Sequence, residues 1–237
     1  ERAARSIAAS VIAALDGKVV PGALNLTPVK PESADVVAPY VPACQSMGRM
    51  LSQIAGGIPS RLKLLVAGSL AHADTSALSA AALTGMFSVM MTYSSVNAHN
   101  VEAVARRHGV HIENDSQTDA HGFESFVGIE ADDCEIGVTL IGRNASMRII
   151  SLMGYQLEIA PAGRALIFEY VDAPGRMGTI GTILGRAGVN ITTMQIATKP
   201  AEQCALVYMN VEGDVSKEVL AELREALPLK NMWSISL

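Results

Sequence analysis

Near the N-terminus, apolar Ile7, Val11, Ile12 and Leu15 recur at helical spacing, and Gly17 stops the run. The stretch KVVPGALNLTPVKPES follows with three prolines and few helix formers, so it reads as an extended connector with a short strand near 24–26. Over 36–55 the helical period returns. Pro39 and Pro42 sit only in its opening turns, where a missing N–H is tolerated, and Gly56-Gly57 ends it. Leu62, Leu64 and Val66 then recur every second residue, the period of a strand with one buried face. The alanine-rich run 76–91 predicts a helix with Leu83, Phe87, Met90 and Met91 turned inward. Ser95 or Asn97 can cap a further helix that passes through Val101 and Val104 to His108-Gly109.

Beyond position 109 the period changes. The runs VHIEND, FESFVGIEA, EIGVTLIGR, MRIISLM and YQLEIA are short, β-rich and separated by turn residues. They predict a multi-stranded and largely antiparallel sheet. APAG at 160–163 marks a break. After it come ALIFEYV (strand), 175–187 (helix), VNITTMQIAT and CALVYMNV (strands joined by the polar turn KPAEQ), SKEVLAELREAL (helix opened by Ser216) and NMWSISL (strand). That is the βαββαβ order of a ferredoxin-like unit. The predicted fold class is α+β, with a leading section 1–24, a mixed α+β unit 25–162 and the ferredoxin-like unit 163–237.

Composition narrows the function classes. Of 237 residues, 49% are hydrophobic and 17% charged, enough for a real core. The net charge is −5 with no basic stripe, so no nucleic-acid partner is expected. No apolar run reaches the roughly 18 residues of a membrane span, and the opening residues do not read as a signal peptide. Glu1 already reads as helix, which suggests a chain cut from something longer. Cys44, Cys134 and Cys204 lie far apart without a C-x-x-C pair, so three reduced, buried thiols in a cytoplasmic protein are expected. His72, His99, His108, His111 and His121 show no H-E-x-x-H spacing and read as loop or solvated residues, so no metal is expected.

The candidate chemistry lies in VDAPGRMGTIGTILGRAGVNITTMQIAT at 171–198. Gly175, Gly178 and Gly181 are spaced G-x-x-G-x-x-G. This is neither the G-x-G-x-x-G of a dinucleotide loop nor the G-x-x-x-x-G-K-[ST] of a P-loop. One reading is steric: the glycines let one helix face approach a strand or a partner subunit closely. The other is a ligand site. A strand ends at Tyr170-Val171-Asp172, Pro174 fixes the turn, and Gly175 opens a helix whose free N–H groups favour a carboxylate. Asn190 starts the next strand. If that turn lies near the first strand's end, Asp172 and Asn190 can both accept from an ammonium group. A helix N-terminus with two acceptors suits a small zwitterion, an amino acid, better than a phosphate.

FEYVDAPGRMGTIGTILGRAGVNITTMQ, with its D-x-P-G…G-V-N-I pattern in that strand order, resembles an ACT domain, the amino-acid-sensing module. SIAASVIAALDGKVVPGALNL resembles the stretch that closes the catalytic part of long-form D-3-phosphoglycerate dehydrogenases. ALTGMF at 82–87 and VNAHNVEAVARRHGV at 96–110 resemble their intervening, allosteric substrate-binding domain. The resemblance implies L-serine as effector at paired ACT interfaces, with Tyr170, Asp172, Gly175 and Asn190 at the site, and a homo-oligomer joined through ACT domains. It also implies a phosphorylated anion at the intervening domain, for which Arg148, Arg143, Lys63 and Arg61 are the candidates. GYQLEIAP lacks the basic residues expected there. The full-length enzyme would oxidise 3-phosphoglycerate with NAD in serine biosynthesis. Its catalytic and NAD-binding residues would lie upstream of Glu1, with no catalytic residue or cofactor in this segment. The alternatives are the regulatory subunit of an iron–sulfur L-serine dehydratase and a stand-alone amino-acid sensor.

Overall fold

A computed structural model describes residues 7, 11, 31–90, 96–120 and 122–237. The connector up to residue 30 and its expected strand near 24–26 fall outside the described residues, as do Met91, Ser95 and His121; the end of the connector, Pro31–Ser33, is a helical turn rather than extended. Of the leading helix only Ile7 and Val11 are described, both helical and exposed.

Short helical turns over 31–40 lead into α1 (Val41–Ala55), which carries Pro42 in its first turn and stops at Gly56 in the left-handed conformation (φ 68°). Strand β1 (Arg61–Gly68), helices α2 (Ser76–Met90) and α3 (Val101–Arg107), and strand β2 (His111–Gln117) follow. Then come β3 (Ser125–Ala131), β4 (Cys134–Ile141), β5 (Ser146–Leu152) and β6 (Tyr155–Ile159). The six strands form one sheet in the order β2-β1-β3-β4-β5-β6. All its pairs are antiparallel except β1 with β2. That pair is parallel because α2 and α3 carry the chain back between the two strands.

Helix α2 is apolar on nearly every side and is buried accordingly. It crosses α1 through two reciprocal glycines. A Cβ on Gly48 would lie 1.8 Å from the Ala82 carbonyl oxygen, and one on Gly85 would lie 1.9 Å from that of Gln45. Backbone therefore rests on backbone at the crossing. Leu83 and Phe87 are fully buried, as the helical stripe requires, but Met90 is 52% exposed. With Gln45 facing Gly85 and Gly48 facing Ala82, the start of α1 falls level with the last turn of α2, and Met90 lies past that cover.

The second unit comprises β7 (Arg164–Val171), α4 (Arg176–Arg186), β8 (Asn190–Lys199), β9 (Cys204–Glu212), α5 (Lys217–Ala226) and β10 (Leu229–Ser236). Its antiparallel sheet has the order β10-β7-β9-β8. The Ser216 hydroxyl accepts the Val219 N–H and caps α5. On the helix-covered face, Leu166, Phe168, Tyr170, Ala205, Val207 and Met209 pack with Ile180, Ile183, Leu184 and Leu223. On the other face, Ala165, Ile167, Cys204, Leu206, Tyr208 and Ile235 enter the core of the first unit. The break between β6 and β7 thus separates two sheets that share one core.

Polar contacts pin the shared face. The Tyr155 hydroxyl donates to Glu169 (2.9 Å), Trp233 Nε1 to the Ile54 carbonyl (3.0 Å), and Lys199 Nζ to the Met153 carbonyl (2.9 Å) while lying over the Tyr155 ring. Buried Asn210 accepts from the Ala162 N–H and donates to the Ala160 carbonyl. Burial and then the Glu169 carboxylate push the Tyr155 hydroxyl's pKa well up. The Tyr208 hydroxyl is the exception: it is buried without a hydrogen-bond partner.

Two outcomes follow for stability in urea. Gly85→Ala forces α1 and α2 apart and is expected to destabilise the chain by about 1–3 kcal/mol. Tyr208→Phe removes an unmatched hydroxyl and is expected to stabilise it by about 1 kcal/mol; a loss of stability instead would show that the hydroxyl has a partner.

Candidate functional site

The residues singled out as an effector site divide between the two ends of the second sheet. At one pole, β7 ends at Val171, and the Asp172 N–H donates to the Gln203 carbonyl (3.0 Å) in the turn between β8 and β9. Gly175 is the N-cap of α4, with φ 89° and no side-chain cap. A left-handed residue is needed there, and glycine takes that conformation at no steric cost. The Thr179 N–H is the one that bonds back to Gly175 (3.0 Å), and the N–H groups ahead of it lack an intrahelical acceptor. The Tyr170 ring is buried in the helix-side core. Burial and then the Asp172 carboxylate push its hydroxyl's pKa up, while the Arg176 guanidinium opposes them. Tyr170, Asp172, Gly175 and Arg176 therefore share one pole.

Asn190 lies at the other pole. Strand register places Asn190 opposite Glu212 and Arg164 opposite Val211, whereas Val171 is opposite Cys204. Asn190 thus stands where β7 begins, and Asp172 stands where β7 ends. At about 3.3 Å per residue, the eight residues of β7 separate them by roughly 25 Å. The expectation that Asp172 and Asn190 meet within one chain is corrected here. Helix α4 returns the chain antiparallel to β7, so the next strand must start at the far end. Asn190 Nδ2 donates to Glu212 (2.8 Å), which leaves its carbonyl oxygen as an acceptor.

The part of the steric reading that had the glycines pack against a strand of the same chain is corrected in the same way. Gly178, Gly181 and Gly185 are exposed, and a Cβ built on any of them meets nothing within 4 Å. Met177, Ile180, Ile183 and Leu184 supply the core stripe of α4 instead. Met194 and Ile196 of the edge strand β8 are also exposed, at 44% and 40%.

The anion candidates do not converge. Arg61 meets Glu113 (3.4 Å) and Glu130 (3.9 Å), and Lys63 meets Asp115 (3.1 Å). Lys63 holds the Asp115 carboxyl below the usual carboxylate range. Arg148 is on β5, where it donates to the Met147 carbonyl (3.0 Å), and exposed Arg143 lies in the turn before β5. Three strand spacings, roughly 14 Å, separate β1 from β5. A cleft of about 470 Å³ between the two units is lined by Ile54, Asp132, Met153, Glu169 and Trp233, and none of the candidate residues reaches it.

All three cysteines are free and buried, and burial pushes the Cys134 thiol's pKa up to about 12. Among the described residues no His, Cys, Asp or Glu cluster could hold a metal, and no helix is long and apolar enough to cross a membrane. Arg176, which the sequence patterns above do not single out, is a cation at the first helical position, where the helix dipole disfavours one.

Two family models match this chain: the D-3-phosphoglycerate dehydrogenase intervening domain over 36–152 and the ACT domain over 164–227. D-3-phosphoglycerate dehydrogenase of Mycobacterium leprae is 30% identical over all of this chain, and that of Mycobacterium tuberculosis is 31% identical over 96% of it. The enzyme of that name from Methanocaldococcus jannaschii is 25% identical over the whole chain. The chain spans 45%, 43% and 45% of the length of these three relatives. Matched in both units and in this order, the chain belongs to the D-3-phosphoglycerate dehydrogenase family, of which it carries the intervening domain followed by the ACT domain.

Proposed function

We propose that this chain is the effector-sensing and assembly part of an enzyme that oxidises 3-phosphoglycerate with NAD, and that L-serine is its effector. The ligand binds between two copies of the ACT domain. The observation that carries this reading is the placement of Asp172 and Asn190 at opposite ends of one sheet. A two-fold axis perpendicular to the strands sets the Asp172 pole of one copy against the Asn190 pole of the other. Such an interface is isologous and closes as a dimer with two equal sites. Each site then has the N–H groups of α4 for the carboxylate, with Asp172 and the partner's Asn190 carbonyl oxygen for the ammonium. The glycine stripe of α4 and the exposed Met194 and Ile196 suit a subunit contact, because among the described residues nothing packs against the glycines and both side chains keep a large share of their surface open.

Calorimetric titration of L-serine tests the shared site. Asp172→Ala and Asn190→Ala are each expected to weaken binding about tenfold to a hundredfold, since a charged hydrogen bond contributes about 1.5–3 kcal/mol. Mixing the two variants gives a sharper result. In a mixed dimer one site carries both substitutions and the other carries neither. Wild-type affinity is therefore expected to return at about a quarter of all sites, because about half of the dimers are mixed and each has one intact site of two. A site made within one chain gives no such recovery.

Gly181→Leu separates assembly from folding. The side chain has room in the single chain, and leucine is the better helix former by close to 1 kcal/mol. By sedimentation at tens of micromolar, the wild type is expected to be dimeric and the variant largely monomeric, with undiminished thermal stability of the fold.

A further inference from the structure

Arg176 is the first residue of α4, directly after the Gly175 N-cap. A guanidinium at this end of a helix faces the positive pole of the helix dipole. Its Nε is removed from solvent and has no acceptor, and no ion pair among the described residues includes Arg176. A buried donor without an acceptor and a cation without a counter-charge both count against folding. Each is relieved by an anion supplied from outside the chain. Asp172 lies four residues earlier in the sequence, at the same pole and exposed, and the two charges act on the Tyr170 hydroxyl in opposite senses.

We infer that Arg176 recognises the carboxylate of the effector, its guanidinium fork taking the carboxylate oxygens beside the free N–H groups of α4. This rests on the shared-site reading above and adds a selectivity to it. A guanidinium presents paired donors in a plane, a geometry that fits a carboxylate and that an amide or an alcohol cannot match in charge. Together with the α4 N–H groups, the pole holds two elements directed at a carboxylate and one, Asp172, directed at an ammonium. It selects a free α-amino acid and rejects the same molecule once its carboxylate is neutralised or removed.

Calorimetric titration of L-serine, L-serinamide and ethanolamine into the wild-type chain and into Arg176→Ala and Arg176→Lys tests this. The wild type is expected to bind L-serine at least tenfold more tightly than either analogue. Arg176→Ala should lose tenfold to a hundredfold in L-serine affinity and bring L-serine and L-serinamide close to parity. Arg176→Lys, which keeps the charge and the side-chain stem but not the fork, should fall between them and shows that a loss is not one of folding. Equal L-serine affinity in wild type and Arg176→Ala, or an unchanged preference for L-serine over L-serinamide, overturns the inference while leaving the shared site standing. A wild type that binds no L-serine overturns the shared-site reading and this one with it. Sedimentation of Arg176→Ala closes the remaining route: if the variant alone is monomeric, the guanidinium belongs to the subunit contact, and the inference is overturned.

Discussion

Strand β9 is buried along both faces from Cys204 to Val211, and the rest of the molecule is arranged around that double burial. Ala205, Val207 and Met209 support the two helices of the ACT unit, while Cys204, Leu206 and Tyr208 lie in the core of the intervening unit. Burying a single Leu or Val side chain contributes about 1.5–3 kcal/mol, so neither face can be exposed without a large loss. The joint is therefore part of the folded core and not a flexible linker. Asn210 shows the same economy in polar form: one buried side chain satisfies a carbonyl and an N–H of the segment joining the two sheets.

The joint leaves the ACT unit with its helices outermost. Within that layer, α4 turns Met177, Ile180, Ile183 and Leu184 inward and presents its glycines to solvent. The β–α–β crossover then places the end of β7 and the start of β8 at opposite poles. These two facts belong together. A crossover that parts Asp172 from Asn190 also leaves, between the two poles, a helix surface that no described residue covers. On the proposed reading, one chain carries two half-sites.

Charge follows the same logic of position over composition. Arg61 and Lys63 look available in the sequence, but strand register sets acidic side chains beside them on β2 and β3. Arg176 looks like an ordinary surface residue, but the fold removes part of its guanidinium from water without supplying an acceptor. Which cations are paired is decided by their neighbours in the sheet and at the helix end, which no count of basic residues conveys.

Much of this architecture was legible in the sequence because it rests on local periods. The short β-rich runs from 110 onward and the helical patterns over 36–55 and 175–187 are local signals, and the ferredoxin-like order follows from the succession of elements. Gly56 and Ser216 mark helix ends through backbone conformation and capping, which are also local. The parallel pairing of β1 with β2, the merging of two cores across β9, the outward turn of Gly178 and Gly181, and the separation of Asp172 from Asn190 were decided only by the tertiary structure. Each depends on which strand lies beside which and at what register. A sequence period reports how an element divides its faces. It carries no information on what covers each face, or on which end of a strand meets which end of another.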